Sequence, residues 1–259
     1  MPWATNPLFK PEDFPEPKPK DGADVESGND DPRQQVLDSV PTRFKVPSSK
    51  FTGHQIFYIS FILDGIGAAL VSGGINFAIA YAMYATDGVT GPIRLWKFPN
   101  TLAGDAALTT FIQLLITWHV ELMLVNRDLK KGGVQPIGFI PEPKWSLVRW
   151  YLFLDRKEQT RKVRSWRHWL AFLRSQVVRA LLLAVVFFPI VWGPSVGFLR
   201  LVGQRQGDDW YYKKEWVPQI FKLIQGAALG LLTTPLIVMF WLTRCGWALR
   251  NHEERYGER

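Results

Sequence analysis

The chain has 259 residues, a formal charge of +8 from 31 Lys and Arg against 23 Asp and Glu, and one cysteine, Cys245, which excludes an intramolecular disulfide framework. A mean hydropathy of −0.03 hides long uncharged runs alternating with segments crowded with Lys, Arg, Pro and Asp. That segregation excludes an ordinary soluble core and points to two solvents, while basic residues beside apolar runs point to anionic lipid headgroups and not to nucleic acid.

Residues 1–50 hold Pro2, Pro7, Pro11, Pro15, Pro17, Pro19, Pro32, Pro41 and Pro47 among many charged residues. Such a segment buries too little apolar surface to offset its ordering entropy, so it is expected to be a disordered tail. It lacks the apolar stretch of a signal peptide, and Glu12, Asp13 and Glu16 argue against a mitochondrial presequence. The endoplasmic reticulum or another endomembrane fits better than the mitochondrion.

The first predicted span is 56–84, IFYISFILDGIGAALVSGGINFAIAYAMY, longer than the roughly 20 residues a bilayer core requires. Gly65, Ala69 and Gly73 recur every four residues along it, a spacing that lets another helix approach closely. The approaching helix belongs either to a second copy in a dimer or, more simply, to the same chain. A loop, TDGVTGPIRLWKFPNTLAGD, precedes the second span at 106–125, whose Gln113, His119 and Glu121 make it the least apolar of four.

Residues 144–174 interleave Trp145, Trp150, Trp166 and Trp169 with basic residues, the composition of a helix lying in the membrane interface. Arg161, Lys162, Arg164 and Arg167 are its expected headgroup contacts. A short soluble helical hairpin is the plainer alternative. The third span, 177–199, carries Pro189 and Pro194 and is expected to kink or unwind. The fourth, 217–242, holds Pro235 and is followed by Cys245, a juxtamembrane candidate for palmitoylation, and by a short tail, 251–259.

The N-terminal tail, the segment between spans two and three and the C-terminal tail carry seven, twelve and four Lys and Arg, against six in the two remaining loops. The positive-inside rule makes the richer side cytoplasmic, with both termini on it. The fold expected is therefore all-α: a multi-pass membrane domain of four transmembrane helices over 51–250, with a basic, Trp-rich interfacial element between spans two and three.

Ionisable residues at membrane depth each cost several kcal/mol unless paired or hydrated, so they are the first candidates for chemistry. At about 1.5 Å rise per residue, Asp64 and His119 both fall about 10 Å below the cytoplasmic surface, within reach of a mutual hydrogen bond. Glu121 and Arg179 are shallower and suit a charge-assisted bridge. The four form either a proton relay or headgroup site, or a self-neutralising cluster that fixes helix assembly; the second needs fewer assumptions. Asn76 and Gln225 lie at comparable depth near the opposite face and suit an interhelical contact. No catalytic motif, metal-ligand spacing, cofactor signature or Asn-x-Ser/Thr sequon is present.

The stretches SGGINFAIAYAMY, IRLWKFPNTLAGDAALTTFIQLLITWHVE and IGFIPEPKW resemble a family of uncharacterised fungal multi-pass membrane proteins carrying a domain of unknown function. The resemblance covers most of residues 50–250. It implies a small polytopic helical protein and supplies no catalytic residue, substrate or cofactor. Three functions are consistent with the sequence: a non-enzymatic accessory or organising subunit of a membrane complex; a small oligomeric transporter or channel using Asp64 and His119; and a lipid-modifying enzyme. The expected partners are a bilayer with anionic headgroups and either a membrane-protein partner or further copies of the chain. Co-purification discriminates the first, flux in proteoliposomes the second, and facing Asp64 and His119 side chains the third.

Overall fold

The computed structural model describes residues 45–59, 65–85, 91–152, 154 and 166–257, with the backbone alone at 167, 168 and 251–257. Most of the expected tail, Asp64, and Arg161, Lys162 and Arg164 of the interfacial element lie outside the described residues. Arg167 lies in a helix, but its side chain is outside them.

The structure is mostly helical. A short helix α1 (Gly53–Phe57) precedes α2 (Ile66–Tyr84), α3 (Leu102–Lys130), α4 (Ser146–Tyr151), α5 (Trp166–Val202) and α6 (Val217–Gly257). Among the described residues, α2, α3, α5 and α6 are long and apolar enough to cross a membrane. They correspond to the four predicted spans with shifted ends. Helix α3 starts four residues earlier than predicted, and α6 runs well past residue 242, because helix propensity outlasts the apolar run. Of the kink or unwinding expected at its prolines, unwinding does not occur: α5 is helical through both Pro189 and Pro194. Of the expected interfacial element, α4 and the first turns of α5 are described, with the Trp166 and Trp169 rings stacked at 4.9 Å.

The all-α expectation is corrected by a four-stranded sheet: β1 (Ile93–Arg94), β2 (Asn100–Thr101), β3 (Gln204–Gln206) and β4 (Asp209–Tyr212) in the order β2-β1-β4-β3. Strand β1 pairs in parallel with β2 and antiparallel with β4, and β3 pairs antiparallel with β4. The strands are too short to alternate legibly, and a buried carboxylate supplies much of what holds them. Asp209 accepts hydrogen bonds from the backbone N–H groups of Trp96 (3.2 Å), Lys97 (3.0 Å) and Trp210 (2.8 Å). Gly207, at φ 66°, closes the β3–β4 turn in the left-handed region that glycine enters without steric cost.

The chain divides into two compact units. Unit 1 comprises Met1–Ile56, Leu122–Leu173 and Met239–Arg259; unit 2 comprises Phe57–Glu121 and Arg174–Val238. In unit 1 the irregular segment 134–140 is held by the end of α6 and by residues 46–55. Ile137 N–H donates to Leu242 O (3.2 Å), Trp247 Nε1 to Ile140 O (2.7 Å) and Arg250 Nη1 to Gly138 O (3.2 Å). Gln55 Nε2 donates to Gln135 O (2.8 Å), and Ser48 bridges in parallel with Ile137. Gly246 makes the approach feasible: a Cβ there would lie 1.8 Å from Ile137 O. Cys245 is fully buried beside it, so the accessible thiol that palmitoylation needs is not offered.

Among the described residues, unit 2 has two apolar cores. One gathers Tyr84, Ile93, Leu95, Leu102, Leu199 and Phe221 beneath the sheet, and the other Leu114, Ala184, Val191 and Leu229. The row of small residues on α2 meets a complementary row on α6. A Cβ on Gly73 would lie 3.0 Å from Leu223 O, one on Gly226 2.7 Å from Ser72 O, and one on Gly230 2.7 Å from Ala68 O. The row is thus occupied by the chain's own helix, the simpler of the two expectations, and not left open as a dimer seam.

Candidate functional site

Asp105 sits in the first turn of α3, where the partial positive charge of a helix N-terminus favours an anion. Its Oδ1 accepts from Lys222 Nζ of α6 at 2.9 Å and its Oδ2 from Tyr84 Oη of α2 at 3.1 Å. Thr109, one turn on, also meets Lys222 Nζ. The Lys222 side chain is 2% exposed and that of Asp105 13%. Removing such a pair from water is costly, so its Coulombic gain must be supplemented by hydrogen bonds, and Tyr84 and Thr109 provide them.

A second tie lies deeper. Asn76 Nδ2 of α2 donates to Gln113 Oε1 of α3 at 3.0 Å, and Gln113 Nε2 donates to Gly226 O of α6 at 2.9 Å. Gln225 Nε2 donates to Ala106 O at 2.9 Å. The predicted residues Asn76 and Gln225 therefore both join helices, but through different partners. Gln113, read in the sequence only as a loss of hydrophobicity, is the residue that Asn76 reaches. Farther along α3, Trp118 Nε1 donates to Gln176 Oε1 of α5 at 2.9 Å.

Of the predicted ionisable cluster, Asp64 lies outside the described residues. His119 turns back along its own helix, with Nδ1 2.8 Å from Leu115 O. A carbonyl only accepts, so Nδ1 is the donor of this bond. Among the described residues Nε2 is buried without a hydrogen-bond partner. Glu121 and Arg179 are both buried, and Arg179 Nη1 bonds one turn back to Ser175 O at 3.3 Å. Among the described residues no three His, Cys, Asp or Glu side chains converge as metal ligands.

Lys222, Asp105, Tyr84 and Thr109 were missed because each was read separately, as a span end or a loop residue. The available signal was a lysine and an aspartate at the same end of two adjacent spans.

Beside its apolar cores, unit 2 buries long cationic side chains and exposes large aliphatic ones. Arg179 and Lys222 are 0% and 2% exposed, whereas Leu70 is 72%, Leu108 59%, Val186 59% and Leu236 50%. Water-soluble packing runs the other way, since it buries the large aliphatic side chains and leaves lysine and arginine outside. The arrangement defines a class: helical proteins with four apolar helices suited in length and composition to a bilayer. Residues 149–242 match the family described as "Protein of unknown function (DUF2456)". The chain belongs to this family of fungal proteins: it is 30% identical over 263 residues to uncharacterized protein YHL026C of Saccharomyces cerevisiae, covering 78% of this chain and 81% of that one. It is also 37% identical over 193 residues to uncharacterized protein C594.02c of Schizosaccharomyces pombe, with 74% of this chain matched but only 38% of the relative's length. No solved structure matches.

Proposed function

We propose that the chain is an integral membrane protein of four spans, with both termini cytoplasmic, that serves as a non-enzymatic accessory or organising subunit of a membrane complex. The observation that carries this reading is the use made of the buried polar groups in unit 2. Asp105, Lys222, Asn76 and Gln113 tie α2, α3 and α6 to one another. The outward aliphatic faces suit lipid or a hydrophobic partner. Because α6 already occupies the small-residue row of α2, a homo-oligomer would need another face.

Two measurements test it. The chain should resist alkaline carbonate extraction, with tags on its two ends reached only from the cytosolic side; tags reached from opposite faces refute four spans. Affinity purification in a gentle detergent should recover a stoichiometric partner, and recovery of the chain alone removes the subunit reading.

A transporter or channel is the second reading, favoured by the buried, unpartnered Nε2 of His119 among the described residues. Loss of flux in proteoliposomes on His119→Ala and Asp64→Ala supports it, and unchanged flux removes both residues from any pathway.

A further inference from the structure

The β3–β4 hairpin joins the end of α5 to the start of α6. Side chains alternate along strands, Gln204 pairs with Tyr211 and Gln206 with Asp209, so Gln204 and Gln206 share a face with Asp209, Tyr211 and, two residues on, Lys213. The Asp209 carboxylate is taken up by the N–H groups of Trp96, Lys97 and Trp210. Gln204, Gln206, Tyr211 and Lys213 supply the polar lining of a half-open cavity of about 400 Å3. Its apolar lining is Val202 at the end of α5, Val217 at the start of α6 and the ring of Tyr212. The Tyr212 hydroxyl is already used, donating to Leu199 O at 2.9 Å, and Gly203 leaves room for the ring, since a Cβ there would lie 2.9 Å from it.

The lining is chemically mixed. Of its polar residues, Lys213 is exposed and, among the described residues, has no carboxylate partner, whereas Lys97 and Lys222 are held by Asp208 and Asp105. From its apolar residues, exposed aliphatic and aromatic side chains continue along both helices away from the sheet: Phe198 and Leu201 on α5, Ile220, Leu223 and Ile224 on α6. Trp216 stands half-exposed immediately before α6, a position where indole rings settle at the headgroup level. A volume of this size is in the range of small-molecule sites.

We propose that this cavity is a binding site for one glycerophospholipid. Its phosphate lies against the Lys213 ammonium, its polar headgroup is hydrogen-bonded by Gln204, Gln206 and Tyr211, and its acyl chains lie on the exposed faces of α5 and α6. Inorganic phosphate would engage Lys213 alone and leave Val202, Val217 and the helix faces uncovered, so the lipid is the occupant the walls fit. The inference rests on the membrane reading given above.

The test is retained lipid, measured by native mass spectrometry on the full chain purified in gentle detergent and washed until loosely held lipid is gone. The wild type should keep one phospholipid per chain. Lys213→Glu should lower retention at least about tenfold and Gln206→Ala by less, while Lys131→Ala, remote in sequence on the connection after α3, should leave it unchanged. A short-chain phosphatidylglycerol should displace the bound lipid, and millimolar inorganic phosphate should not. Equal retention by wild type and Lys213→Glu overturns the site, and displacement by inorganic phosphate alone reassigns it to a free anion. Both variants have exposed side chains, and an unshifted melting temperature shows that they remain folded. A chain that washes out in carbonate refutes the membrane reading; a carbonate-resistant Lys213→Glu chain that keeps its lipid refutes this inference alone.

Discussion

In unit 2 side chains tie regular helices, some to a facing side chain, as Asp105 with Lys222 and Tyr84 and Asn76 with Gln113, and some to a facing helix carbonyl, as Gln113 with Gly226 O and Gln225 with Ala106 O. In unit 1 side chains serve an irregular segment: Trp247 and Arg250 at the end of α6, with Gln55 before the first span, donate to the carbonyls of Gln135, Gly138 and Ile140. The difference follows from what needs satisfying. A long apolar helix has already satisfied its own backbone, so only side chains remain to specify its neighbours. An irregular segment has orphan carbonyls, and its nearest helix must bring donors to them.

The comparison breaks first at Lys222. Lys222→Met strands a buried carboxylate and should cost about 3–5 kcal/mol, read as a fall in melting temperature in detergent. Adding Asp105→Asn should recover most of that loss, and no recovery would mean that Lys222 acts through packing alone. In unit 1, Gly246→Ala pushes a methyl group into Ile137 O and should cost about 3 kcal/mol, while Gly74→Ala on α2, where nothing lies within 4 Å of the added methyl, should be neutral or stabilising. Gln113→Leu removes two ties, the bond from Asn76 Nδ2 and the bond to Gly226 O, and should cost about 1–2 kcal/mol. A peptide of residues 144–174 should bind anionic vesicles more weakly as Arg161, Lys162, Arg164 and Arg167 are neutralised, by about 1 kcal/mol for each charge. Equal binding to neutral vesicles would refute that.

The smallest effect belongs to the exposed pair of Lys97 Nζ and Asp208 Oδ1, at 2.6 Å. The lysine's hydrogen bond and charge hold the Asp208 carboxyl below its ordinary range, so whatever it adds is present above the unfolded carboxylate pKa and lost as pH falls through the depressed value. Burial and the neighbouring Asp209 raise the Tyr212 hydroxyl well above its ordinary range, so it remains a donor to Leu199 O at any working pH. Melting of Asp208→Asn should match the wild type at pH 7 within error, since exposed pairs contribute little.

Four long helices were legible because uncharged runs of bilayer length are hard to write by accident. The close approach along Gly73 was legible as a spacing, but its partners Gly226 and Gly230 were not, since they lie in an ordinary apolar stretch. The sheet was invisible: strands of two to four residues carry no period, and they are held together by residues more than a hundred positions apart, as when Asp209 accepts from Trp96. The ionic tie was half visible. Its members are conspicuous singly, but their pairing depends on which helices touch, and hydropathy is silent on that.

Because β1 pairs with β4, the loops after α2 and after α5 form one folded piece. A reporter or protease site placed in either strand to map sidedness would disrupt both connections together, and a misfolded chain would then be mistaken for a topological result. The exposed hairpin tip at Gly207, outside the strand pairing, is the place where such an insertion leaves the ladder intact.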